Sequence, residues 1–468
     1  MAQVCAQDVL IPRGHVIKAV SMKPPAAARL WGPGLLKDVC KPGSPGEASA
    51  EPVSSEFVVD VHEQKPVFRH LSKGPPRGSQ GVEAPWLDLS CPPAELRPEA
   101  VLTPGQSFSW KRLAVDRWIG LIGSSAVLIR QTESTTLAQV VHGSASLSDI
   151  REYLGLAVQG PTLEEHYRSW SGACPRLRQV AQCIPGVRVL QQDPVETLFA
   201  FICSSNNNVS RIALLLDRLR RRFGEKVCKL PAGAQAIDDD GPDTAEGGTS
   251  SGRMLAHVSE FNAHGHLHQF PALERLAAAS EVSLRRLGLG YRAAYVRGTA
   301  RALLKNGGRA FLESLRHGHS RTEVQRALCQ LPGVGPKVAD CIALFSLGQH
   351  DCIPVDVHVW RITTRDYEPK LREAKSLTPA VYEQVGDAFR ARFGPFAGWA
   401  HSLLFGAELA GAARARLPSE LIAEMDQFRE VERAESAQKR AAVAERREKR
   451  QQQVEAETGT RKRKKRER

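Results

Sequence analysis

The sequence predicts an α+β protein, with an antiparallel sheet domain followed by a mainly helical domain. Three observations carry that expectation. Between Pro85 and about Leu163, short runs rich in β-formers alternate with turn residues. From there to about Leu409, apolar residues recur at helical spacing. At both ends the periodicity lapses. The chain then divides into a disordered N-terminal extension (1–84), a sheet domain (85–190), a helical domain (191–410) and a charged, basic C-terminal tail (411–468). Residues 231–256, with Asp238-Asp239-Asp240 and Gly247-Gly248, read as a flexible insertion in the helical domain.

In the sheet domain, Ser107–Trp110, Trp118–Ile122, Ala126–Arg130 and Leu137–Val141 are the expected strands, with Gly123-Ser124-Ser125 as one of the turns. Asp193-Pro194-Val195-Glu196 reads as a capping box with proline at the first helical position. The helix it opens turns Leu198, Phe199 and Ile202 inward, until the polar run Ser204–Asn208 interrupts it. A second helix, Val209–Phe223, carries Ile212, Leu215, Leu216 and Leu219 on one face. Past Leu417 the chain has the composition of a solvated helix, its apolar residues too sparse for a core. Its basic run, Arg461–Arg466, fits a nuclear-import signal or a nonspecific DNA contact better than a plain solvated tail, which places the chain in the nucleus. The first residues have few arginines and only a weak amphipathic pattern, which disfavours a mitochondrial presequence.

The chain has 468 residues and a net charge of +13, with an isoelectric point near 9.4. That balance points to a polyanionic partner, most simply nucleic acid. Ten cysteines include no CxxC pair, which suits a reducing compartment. None follows Cys352, which argues against an iron–sulfur cluster or a zinc finger, so no metal and no cofactor is expected. No apolar run is long enough for a membrane span, and no membrane partner is expected.

The chemistry concentrates in Leu331–Trp360. Ser320 and Glu323 cap a helix that ends at Leu331. Gly333 and Gly335 then allow a tight turn, and a second helix begins at once. Such a helix–hairpin–helix leaves free backbone N–H groups beside a positive helix end, a natural phosphate seat. Lys337 lies in the first turn of the second helix, a poor place for a merely structural cation. The same field should depress its pKa, as an attacking amine requires. Cys341 shares its helix face, either as a small buried hydrophobe or as part of a pocket. Asp356 reads as an N-cap, held rigidly enough to steady a developing cation as well. His358 by itself reads as a core histidine.

The segments LPGVGPKVADC, PVDVHVW, FICSSNNN (Phe201–Asn208), LGLGYRA (Leu287–Ala293) and PGQSFSW (Pro104–Trp110) all resemble one family. They are similar to the HhH-GPD superfamily of base-excision DNA glycosylases, and within it to the eukaryotic-type 8-oxoguanine DNA glycosylase/AP lyases. The resemblance runs from about Trp86 to Leu409 and leaves the tails uncovered. It implies a TBP-like antiparallel sheet domain packed on the helical domain, and duplex DNA containing oxidised guanine as the partner. The damaged base is flipped out, because its glycosidic bond is inaccessible inside the stack.

By that resemblance Lys337 attacks the sugar and forms a Schiff base, β-elimination then nicks the strand, and Asp356 stabilises the cationic sugar. Gly105 matches the glycine whose carbonyl accepts from N7–H of 8-oxoguanine, a donor that guanine lacks. Cys341 and Phe405 match the groups that sandwich the base, and Pro354 lines the pocket. Asn206 matches the residue that fills the vacated stack. Arg211 and Arg292 match contacts to the opposite cytosine, Tyr291 a wedge beside it, and His358 a phosphate contact. A monomer is implied, with downstream base-excision repair proteins as further partners. One departure stands out: His401 occupies a position where the family commonly has glutamine. Histidine can become protonated, so an altered pH dependence or reduced discrimination is expected. Two other readings stay open at this point, a glycosylase for another lesion and a non-catalytic DNA-binding scaffold.

Overall fold

The computed structural model describes residues 84–102, 105–230, 265–374, 376–409, 411 and 413–466. The expected insertion, and all but the last residue of the expected N-terminal extension, lie outside these. Five strands form one antiparallel sheet: β1 (Leu87–Asp88), β2 (Lys111–Ala114), β3 (Arg117–Ile122), β4 (Ser125–Gln131) and β5 (Thr136–His142), in the order β1-β5-β4-β3-β2. β4 is central and buries Ser125–Ile129 without a break, because both sheet faces are covered. Trp118, Val127 and Ile129 face the main core, while Ile119, Ala126 and Leu128 meet Leu267 of a small two-stranded antiparallel sheet, β6 (Lys226–Lys229) and β7 (His266–His268).

The expected strand Ser107–Trp110 is instead a loop, and pairing starts one residue later, at Lys111. The serine hydroxyls explain the difference: Ser107 Oγ and Ser109 Oγ bond to each other at 3.1 Å. The Trp110 indole N–H donates to Tyr153 at 2.9 Å, which draws the residue off the sheet edge.

The helical region begins with α1 (Leu163–Ala173) and α2 (Pro175–Cys183), followed by α3 (Pro194–Cys203) and α4 (Val209–Phe223). Asp193 does cap α3, accepting from the Glu196 N–H at 2.9 Å. The reciprocal half of the expected box is missing, because the Glu196 carboxylate pairs with Arg220 of α4. α3 is buried on nearly every side, so it is a central post rather than an amphipathic surface helix. Burying side chains such as Phe199 contributes roughly 1.5–3 kcal/mol each.

Next come α5 (Arg292–Lys305), the hairpin helices α6 (Arg321–Leu328) and α7 (Pro336–Ser346), and α8 (Val357–Ile362). α9 (Pro379–Phe393), α10 (Ala397–Glu408) and α11 (Ser419–Arg466) follow, and shorter helices such as Leu147–Tyr153 and Leu273–Ala278 lie elsewhere in the chain. α7 packs on α3 and is buried from Val338 to Ser346.

The start of α11 departs from the solvated helix expected there. Leu421 and Met425 are buried in the main core, and Phe428 lies under the guanidinium groups of Arg365 and Arg372. The spacing i, i+4, i+7 makes a stripe narrow enough to look sparse, yet sufficient against a surface already formed. Ion pairs flank it, Arg361 to Glu432 at 2.7 Å and Arg372 to Glu435 at 2.7 Å.

Candidate active site

Local rules place the hairpin. The Ser320–Glu323 capping box starts α6, and Pro336 at the first position starts α7. Between them, the Val334 N–H donates to the Leu331 carbonyl at 3.1 Å, closing the turn. Gly333 takes φ +76°, and a Cβ there would lie 2.6 Å from the Tyr295 ring, so both conformation and space require glycine. The Thr299 hydroxyl donates to the Pro332 carbonyl at 2.6 Å, which docks the turn on α5. Gly335 is the extended N-cap of α7.

Helical spacing then puts Lys337, Cys341 and Phe345 along one face of α7. That face lines a cleft open to solvent. The cleft gathers Gly105, Lys337, Cys341, Pro354, Asp356, His401 and Phe405, all of which the sequence had singled out. It also includes Gln106, Phe201, Phe345 and Ser402, which it had not. Phe201 lies within one of the quoted segments, and Gln106 directly follows Gly105, so adjacency to a motif was the available signal. The Lys337 amine lies 3.5 Å from the Ser204 hydroxyl and 5.2 Å from the centre of the Phe201 ring. Phe201 stacks on Phe345 with ring centres 5.5 Å apart.

Asp356 caps α8: its Oδ1 accepts from the N–H groups of His358 at 2.8 Å and Val359 at 3.0 Å. α10 supplies the far wall, where His401 stacks on Phe405 at 5.6 Å and the His358 ring meets Phe405 edge-on at 5.5 Å. Gly105, at φ +80°, approaches closely enough that a Cβ would sit 3.5 Å from Phe405. Gln106 pins this loop: its amide donates to the Arg188 carbonyl at 2.8 Å and accepts from the Leu190 N–H at 3.1 Å.

The electrostatics revise two expectations. Burial works against the Lys337 ammonium, but Cys341 and the Asp356 carboxylate outweigh it, so the amine titrates above its ordinary value. The expected depression of its pKa is therefore overturned. Burial also pushes the Cys341 thiol up to about 12, leaving Asp356 as the standing negative charge beside the lysine. For His401, burial pulls the imidazole down to about 4. The ring is neutral throughout pH 6–8, contrary to the expected pH switch. Replacing His401 with glutamine should accordingly leave the excision rate with the same pH profile between pH 6 and 8, and divergence there would contradict the assignment of a neutral ring. Neither His401 ring nitrogen has a well-aligned hydrogen-bond partner among the described residues, the Gly398 carbonyl offering only a weak backbone contact.

A second group assembles next to the cleft. Asn206 is exposed in the loop after α3, at φ +49°. The Tyr291 hydroxyl donates to the Ser205 carbonyl at 3.0 Å, and the Arg292 guanidinium donates to the carbonyls of Ser205 and Asn206, the latter at 2.9 Å. Arg292 also lies 4.6 Å over the Tyr291 ring and is 5 % exposed. It holds the Asn206 loop here rather than standing free. Arg211 is exposed in the first turn of α4. Burial lowers the His358 pKa, and its Nδ1 has no hydrogen-bond partner among the described residues. Among the described residues, no group of three or more His, Cys, Asp or Glu side chains could hold a metal ion.

Residues 88–198 match the 8-oxoguanine DNA glycosylase N-terminal domain, and residues 199–385 match the HhH-GPD superfamily of base excision DNA repair proteins. The N-glycosylase/DNA lyase OGG1 of Arabidopsis thaliana is 38% identical over 331 residues, which cover 69% of this chain and 80% of that protein. The chain belongs to the 8-oxoguanine DNA glycosylase/lyase family. The N-glycosylase/DNA lyase of Saccharomyces cerevisiae is 31% identical over 350 residues, covering 67% of this chain and 83% of its own. The 8-oxoguanine glycosylase/lyase of Clostridium acetobutylicum, solved with duplex DNA, shares the fold, with a TM-score of 0.52 at 21% identity over 70% of this chain and 95% of that one. As a member of the 8-oxoguanine glycosylase/lyase family, the chain is a DNA N-glycosylase and lyase of base excision repair. The non-catalytic scaffold reading falls with that membership.

Proposed function

We propose that this glycosylase/lyase excises 8-oxoguanine opposite cytosine through a Schiff base on Lys337. The observation that carries the reading is the convergence, in one cleft, of a half-buried amine, a capped carboxylate and the Gly105 loop. The amine first gives up its proton and then attacks C1′. The glycosidic bond breaks with its electron pair on the base, which takes a proton as it leaves. The C1′–O4′ bond then breaks with its electron pair on O4′, which takes a proton from the nitrogen, and C1′ is left doubly bonded to Nζ as an iminium. Loss of a proton from C2′ then expels the 3′-phosphate, which nicks the strand. Asp356 supports the positive charge on the sugar and the iminium, and its rigid cap keeps it there without reorganisation. Phe405 and Cys341 sandwich the flipped base against the Gly105 carbonyl, and His401 offers one donor and one acceptor to its edge.

The opposite-base reading rests on the exposed Asn206 and Arg211 and on Tyr291, held beside the lysine through Ser204 and Ser205. Single-turnover excision should be at least roughly tenfold faster opposite cytosine than opposite adenine, the scale of about one good base contact. Arg211→Ala should shrink that ratio, and equal rates opposite all four bases in the wild type would overturn the assignment. The protein acts as a monomer on duplex DNA and hands its nicked product to downstream base-excision repair proteins. Its nuclear residence rests on Arg461–Arg466. A fluorescent fusion that stays nuclear without those residues would contradict that.

A further inference from the structure

Asp340 is a buried carboxyl that does not line the cleft, one residue before Cys341 and three after Lys337. Its Oδ1 accepts from the Gln325 amide of α6 at 2.9 Å. Its Oδ2 accepts from the Tyr382 hydroxyl of α9 at 2.6 Å. The same hydroxyl oxygen lies 3.3 Å from the Val355 N–H, and the Ile353 carbonyl lies 3.3 Å away as an alternative acceptor. Tyr382 therefore joins two segments distant in sequence, α7 with Lys337 and the extended Ile353–Asp356 stretch with the capping carboxylate.

We propose that Asp340 and Tyr382 are positioning residues for the reaction, a bridge that sets the placement of Asp356 relative to Lys337. Backbone connects Val355 directly to Asp356, so a shift of the Val355 N–H is a shift of the carboxylate. The hydrogen bonds have two arrangements. With Asp340 ionised, Tyr382 donates to it and its oxygen accepts from Val355. With Asp340 protonated, the acid donates to the Tyr382 oxygen, and the hydroxyl turns to the Ile353 carbonyl and loosens its hold on Val355. Burial pushes Asp340 up to about 7, so both arrangements are sampled near neutrality. The charged and titratable groups facing it are Arg321 of α6, Tyr382 and Glu383 of α9, Cys341 of its own helix and Cys352 beside the extended stretch. Arg321 favours the anion and Glu383 opposes it.

The bridge rests on the roles proposed for Lys337 and Asp356, and single-turnover excision tests it. Tyr382→Phe should slow base release on the order of 10²-fold, the scale of a misplaced catalytic group, while affinity for the duplex changes by less than about threefold. The Asp340→Asn/Tyr382→Phe double variant should be no slower than Tyr382→Phe, because the two act as a unit. Asp340→Asn is nearly isosteric, and its amide donates to Tyr382 as the protonated acid does. The ratio of wild-type to Asp340→Asn rates cancels the titration of Lys337. It should rise on the order of tenfold between pH 6 and 8 and then level off. A flat ratio overturns the bridge whether or not Tyr382→Phe folds, as does a correctly folded Tyr382→Phe that excises at the wild-type rate or losses that simply multiply. A wild type that forms no borohydride-trapped adduct overturns the underlying assignment instead.

Discussion

Glutamine in place of Lys337 should abolish the borohydride-trapped adduct on duplex DNA carrying 8-oxoguanine opposite cytosine. It should also slow base release by roughly 10⁴-fold or more, the scale seen when a nucleophile that acts within a unit is removed. Glutamine keeps most of the length of the side chain, so its packing beside Phe201 persists and the cleft does not collapse. Only the amine is lost. The raised pKa adds a sign: at neutral pH nearly all of the lysine is ammonium, and only the small neutral fraction attacks. Wild-type excision should therefore climb with pH as that fraction grows. Release of free base by Lys337→Gln at an unchanged rate, with only nicking lost, would show that water attacks the sugar and would remove lysine from the first step.

Asp356 has two roles that different substitutions separate. Asparagine keeps an oxygen for the N–H groups of His358 and Val359 but carries no charge, so Asp356→Asn should fold with nearly unchanged stability. Its excision should fall by about 10²–10³-fold, the cost of removing one preorganised stabiliser of transition-state charge. Alanine removes the cap as well, and Asp356→Ala should lose a further ~1 kcal/mol in denaturant titrations. It should be no faster than the asparagine variant. If Asp356→Asn retains more than about a tenth of the wild-type rate, the carboxylate is a cap and little else.

The parts of this protein legible in the sequence are those that local rules decide. α4 runs over the residues its apolar spacing indicated, Ser320 and Asp356 cap the helices they announce, and the glycine turn of the hairpin lies where Gly333 and Gly335 stand. Each depends on a few neighbouring residues and on backbone sterics. Where the competition was between a strand and a hydroxyl-bonded loop, as at Ser107–Trp110, a distant partner (Tyr153) tipped it. α11 shows the same limit: three apolar residues make no core alone, but Leu421 and Met425 join the main core and Phe428 packs under Arg365 and Arg372 once those surfaces exist.

Of the chemistry, the sequence by itself determined the residue types, the order of the motifs and the presence of an amine at a helix start. Only the tertiary structure decided that Gly105, more than 200 residues before Lys337 in the chain, shares a cleft with it, and that His401 is neutral. It also decided the sign at Lys337, where a helix end and burial would lower the pKa but Cys341 and the carboxylate that caps α8 outweigh them. A titration depends on every charge within a few ångströms and on the loss of water, and only packing sets those.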